Sequence, residues 1–148
     1  MLVATLKLLF SRDLNKLKKE VASYQNETNI WRIENSIANS GGNLCLHLIG
    51  NLKTYIGAEL GKINYTRNRD LEFSLKNISK AALIEKIEET IAIVDQSLDT
   101  LTDEDLKNEY PSLVFESKTS TEYFMIHLIA HLSYHLGQIN YHRRLLDV

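Results

Sequence analysis

The sequence predicts an all-α protein, a four-helix bundle, on three observations. One proline and six glycines in 148 residues leave long stretches free of helix breakers. Four segments repeat apolar residues at spacings of three and four, the period of a helix with one buried face. No segment alternates apolar and polar residues over the length of a strand. The length suits one domain, residues 1–148, large enough for a real core.

The first helix is predicted from about Val3 to Tyr24, where Leu2, Leu6, Phe10, Leu14, Leu17 and Val21 form the stripe and charged residues fill the other face. Ile30-Trp31-Arg32-Ile33 then makes a short apolar segment. Ser40 and two glycines make the start of a second helix, which runs through Leu44, Leu48, Leu52, Ile56 and Leu60 and ends at Gly61. Residues 62–78 lose the period and read as a loop covering one mouth of a cleft. Ser79 caps a third helix carrying Leu83, Ile87, Ile91, Val94 and Leu98. Pro111 marks another connection, and Thr119-Ser-Thr-Glu122 reads as a capping box ahead of a fourth helix that reaches about Leu146.

That last helix holds four of the five histidines. At about 100° per residue, with His131 as origin, His135 falls at roughly +40°, His142 at about +20° and His127 at about −40°. The apolar residues centre at about +90°, so the histidines flank the buried face, where a helix lines a cleft. His47, the fifth, lies on a matching border of the second helix, between Asn43 and Asn51. Residues four apart on a helix converge, so His131 and His135 suit a transition metal, with His47 as candidate third ligand. Three imidazoles with an open position suit zinc or nickel, and equally iron or cobalt. Such an ion activates a bound water or thiol. The alternative reading is a set of hydrogen-bonded histidines at the edge of a core. His127 is redundant beside the better pair, and His142 lies roughly 10 Å of helix rise beyond His135.

Among the other residues, Cys45 turns about 160° away from His47 and points into the core. It is the only cysteine, which excludes a disulfide framework and a cysteine-based zinc site. Gly137 inside a helix predicts close approach of a neighbouring backbone, with Gln138 bonding across the contact. Tyr134 and Tyr141 share a flank suited to a partner helix or subunit. A net charge of −2 and a pI near 6.2 argue against a nucleic-acid surface. No run is long enough to span a membrane, and the apolar start, interrupted by Lys7, lacks a cleavage region, so the chain is expected to be cytoplasmic.

Ala130-His131-Leu-Ser-Tyr-His135-Leu-Gly137-Gln138-Ile139 resembles the signature of the DinB-like (damage-inducible) four-helix proteins, in which a His-x-x-x-His pair precedes Gly-Gln on the last helix. Asn43-Leu-Cys-Leu-His47-Leu-Ile-Gly-Asn51-Leu resembles that family's second-helix motif. The resemblance implies His47, His131 and His135 as the metal triad, and does not extend to His127 or His142. Many members carry an arginine between the last ligand and Gly-Gln. Leu136 stands there in this chain, which weakens any role assigned to that arginine and leaves the triad intact. The resemblance further implies a homodimer, and a divalent-metal enzyme that uses a low-molecular-weight thiol such as bacillithiol or mycothiol on a small-molecule substrate. A thiol S-transferase is the first expectation, with a hydrolase as its variant. The alternative is a non-catalytic metal-binding or stress-response interaction protein. An open cleft beside the triad favours catalysis, and a closed one favours the alternative.

Overall fold

The first apolar stripe becomes α1, Leu2–Ser23, in the computed structural model, which describes residues 1–148. A 3-10 turn at Glu27–Trp31 follows. The remaining helices are α2 (Gly41–Leu52), α3 (Arg69–Ser74), α4 (Lys80–Asp99) and α5 (Thr121–Leu146). The chain is all-helical, and its one β pairing is an isolated antiparallel bridge between Glu109 and Ser120 that closes the loop before α5.

Each long helix buries its predicted face. Leu6, Phe10, Leu14 and Leu17 of α1 meet Leu83, Ile87 and Leu98 of α4, and Leu48, Leu52, Phe124, Leu128 and Leu132 complete the same core. α1 packs on α4 and α5, and α2 packs on the same two helices. Caps appear where short hydroxyl side chains precede the stripes. Ser40 accepts from the Asn43 N–H at 3.1 Å, and Ser79 accepts from Ala82 N–H at 3.1 Å. The last cap is Ser120, which accepts from Tyr123 N–H at 3.2 Å. The box anticipated at Thr119 is therefore shifted by one residue.

Three local expectations are corrected. The second helix does not continue as an α-helix to Leu60. From Lys53 to Ala58 it widens into a π turn, and Gly61 N–H reaches back to Ile56 O at 2.9 Å. Residues 62–78 are not all loop, because α3 forms within them, capped by Asn68. A methyl group added at Gly137 would meet no atom within 4 Å, so no backbone approaches it. Gln138 bonds within its own helix instead, to His135 and Tyr134. Cys45 is fully buried as anticipated, and burial pushes its thiol up to about 12.

No helix is long and apolar enough to cross a membrane.

Candidate metal centre

His47 reaches the centre because α2 is buried on every side, including its polar positions. Asn43, His47 and Gly50 recur at spacings of four and three, so they share one face of α2. That face packs on α3. Asn43 does not face water: its Nδ2 donates to Glu72 O and Leu75 O, both at 2.9 Å, and so fastens α3 to α2. His131 and His135 enter from α5, one turn apart.

The three rings meet. Their centroids are 4.6 Å apart for His131 and His135, 5.1 Å for His47 and His131, and 5.2 Å for His47 and His135. One nitrogen from each ring lies within 4.8 Å of the other two. His47 Nε2 and His131 Nε2 face each other at 3.2 Å. The outward nitrogens are engaged elsewhere. His47 Nδ1–H donates to Glu72 Oε1 at 3.1 Å, and His135 Nδ1–H donates to Gln138 Oε1 at 2.7 Å. These tautomers follow from the acceptors each ring nitrogen meets. They leave Nε2 of His47 and of His135 with a free lone pair, and that of His47 faces His131. Two buried side-chain atoms lack partners, His131 Nδ1 and Asn51 Oδ1, and both residues line the same small hollow.

Burial favours the neutral form of the two α5 rings. Burial, reinforced by repulsion from His135 and His47, pulls His131 down to about 4. Burial lowers His135 as well, against the opposing pull of its bond to Gln138. Burial alone would raise Glu72, but hydrogen bonds from His47 and Arg67 outweigh it and hold the carboxyl below its usual range. Near neutral pH His131 and His135 are thus biased towards the uncharged, metal-ligating form, beside one carboxylate.

Two cavities flank the cluster. A hollow of about 190 Å³ is bounded by His47, His131, Asn51, Tyr55, Arg67 and Arg69. A larger one, about 740 Å³, opens on the other side along His135, Tyr134, Gln138 and Tyr141, and residues 34–39 roof it.

The remaining histidines are not in the three-ring group. His127 borders the small hollow with its ring parallel to those of Phe124 and His131, centroids at 6.0 and 6.3 Å, and meets Phe115 edge-on at 4.8 Å. His142 Nδ1 accepts from the Tyr24 hydroxyl at 2.6 Å and its Nε2–H donates to Arg32 O at 2.8 Å, so both nitrogens are occupied. Near the end of α5, Arg143 pairs with Glu20 at 2.7 Å.

Two residues of the centre had no clear mark in the sequence, Glu72 and Arg67. Both come from the segment without helical period. Gly50 was the available signal, a glycine one turn after His47 in the interior of an apolar helix, which marks a close neighbour. No curated protein matches this chain. The model of a family described only as proteins of unknown function, DUF1572, matches residues 3–147, and the chain belongs to that family.

Proposed function

We propose that this protein is a DinB-like four-helix bundle, a single domain, that holds a divalent transition ion on His47, His131 and His135 and uses it in thiol or water chemistry. The observation that carries the reading is the common orientation of the rings. Two Nδ1 groups are spent on fixed acceptors, His47 Nε2 faces His131 Nε2, and one nitrogen of each of the three rings lies within 4.8 Å of the other two. Ligands of one tetrahedral ion at about 2.0–2.1 Å stand about 3.3 Å apart, and the 3.2 Å between His47 Nε2 and His131 Nε2 fits that spacing. Lone pairs so close repel unless a cation or proton lies between them. Zinc or nickel suits an all-imidazole set, as do iron and cobalt.

A bound ion supplies Lewis acidity and lowers the pKa of a thiol or water that it holds. The chain's own residues divide the remaining tasks. The 740 Å³ cavity that reaches His135 is the size of a small-molecule site, which favours catalysis over a purely metal-binding role. Its wall of Tyr134, Tyr141 and Leu145 suits the apolar part of an electrophile, and Gln138, Asn35 and Asn39 offer polar groups to the rest. In the smaller hollow, Arg69 offers positive charge to a carboxylate of a low-molecular-weight thiol. An S-transferase uses both cavities, whereas a hydrolase needs only the larger one. We further propose a cytoplasmic homodimer; the exposed tyrosines on α5 support the dimer, and light scattering at high micromolar concentration tests it.

Metal titration of tag-free protein tests the central reading. His47→Ala, His131→Ala and His135→Ala each remove most of the bound ion, while His127→Ala retains it. Unchanged binding in any of the first three rejects the triad.

A further inference from the structure

The face of α2 that carries His47 is shaped around a single carboxylate. Asn43 holds the backbone of α3 at Glu72 and Leu75. One turn on, His47 donates to Glu72 Oε1. A further three residues on, Gly50 leaves the space in which that carboxylate lies: a Cβ there would overlap Oε2 and come within 2.6 Å of Cδ. From the other side Arg67 grips Glu72 as a fork, Nε to Oε2 at 2.8 Å and Nη2 to Oε1 at 2.9 Å. Glu72 is only 6% exposed. The ring of Phe73 closes over His47 with centroids 5.0 Å apart.

We propose that Glu72 is the positioning residue of this centre, fixing the tautomer and rotation of His47 so that its Nε2 lone pair points at the ion. The proposal rests on the three-histidine reading and adds a residue to it. An imidazole has two tautomers and a free rotation about its outer bond. A carboxylate on Nδ1–H selects one tautomer, stops the rotation and makes Nε2 a stronger donor. Arg67 Nη2 also lies 3.5 Å from His47 Nδ1, but the nearer carboxylate outcompetes that contact and sets the tautomer. Arg67 therefore acts through Glu72, by aiming Oε1. His135 has a neutral counterpart in Gln138, so His47 is the one ring held by charge.

A purely structural Glu72, there to neutralise Arg67, would also be buried and paired. The two roles separate in a cobalt titration of the full, tag-free chain, because Co²⁺ reports both affinity and ligand geometry in its visible spectrum. Glu72→Ala removes the carboxylate. Gly50→Ala keeps it but displaces it from the space beside α2, and that substitution raises helix propensity. Glu72→Gln keeps an acceptor for Nδ1–H without the charge. The expected result is a loss of about 10–100-fold in Co²⁺ affinity for Glu72→Ala and Gly50→Ala, with an altered cobalt spectrum and unchanged helical circular dichroism, and a smaller loss for Glu72→Gln. If Glu72→Ala fails to fold, Gly50→Ala and Glu72→Gln decide the matter. Affinity within about threefold of wild type and an identical spectrum in the folded variants overturn the proposal alone. Wild-type protein that binds no Co²⁺ overturns the three-histidine reading, and the proposal with it.

Discussion

His142 follows His135 by two turns on α5, but its ring ties the start of the molecule to its end. It receives the Tyr24 hydroxyl and donates to Arg32 O, a pattern that only the neutral imidazole can make. Burial lowers its pKa from the usual 6.5, against the opposing effect of the bond to Arg32. A depressed folded-state pKa means that the unfolded chain takes up the proton first. The stability this group contributes is complete above about pH 6.5 and is lost as pH falls through the lower, folded value. His131 and His135 carry the same sign. Metal-free protein is therefore expected to lose stability between pH 7 and pH 5, and His142→Gln to flatten part of that slope. Urea denaturation at the two pH values checks this, and parallel slopes for the two proteins refute it. Such assignments are only partly legible in a sequence. Helical spacing groups His127, His131, His135 and His142 on one arc, but it cannot tell which ring nitrogens already have partners. Gly137 shows the same limit: its place in a helix suggests a close neighbour, and there is open space beside it.

The long helices were legible because a sustained regular pattern outweighs local exceptions, and serine caps mark the starts of α2, α4 and α5. α3 was hidden because six residues make fewer than two turns and carry no stripe. Its position is set by contacts from α2 and Arg67 instead of by its own pattern, so half of the surroundings of His47 come from a segment that looks irregular. The π turn after Leu52 was equally hidden, since widening one turn leaves the apolar spacing almost intact. What the pattern does establish is the seam between α2 and α5 that brings His47 to His131. Leu48 and Leu132 lie next to these ligands in sequence, and both are fully buried. Leu48→Ala and Leu132→Ala are each expected to cost about 2–5 kcal/mol, as truncations that leave a cavity do. Chemical denaturation measures the cost, and less than about 1 kcal/mol for both would mean that the seam is not where the helices bear on each other.

At the scale of the whole molecule, the three histidines join parts of the chain separated by 84 residues, since His47 belongs to α2 and its facing partner His131 to α5. The unfolded chain holds no such arrangement, so an ion that binds the assembled cluster binds the folded state almost exclusively. Its binding free energy then adds to folding, by about 2.7 kcal/mol when free metal is a hundredfold above Kd. The effect belongs to the cluster as a unit, because two imidazoles on one helix also bind an ion weakly in the unfolded or partly folded chain and so stabilise less. Zinc is thus expected to raise the Tm of the wild-type protein in a concentration-dependent way, and His47→Ala to abolish the rise although His131 and His135 remain. His127→Ala leaves the rise intact, because its ring packs against Phe124 and Phe115 and offers no nitrogen to the three-histidine group. Thermal unfolding followed by circular dichroism, with and without chelator, reads all three proteins. An equal rise in wild type and His47→Ala would assign the stabilising site to α5 alone and detach α2 from it.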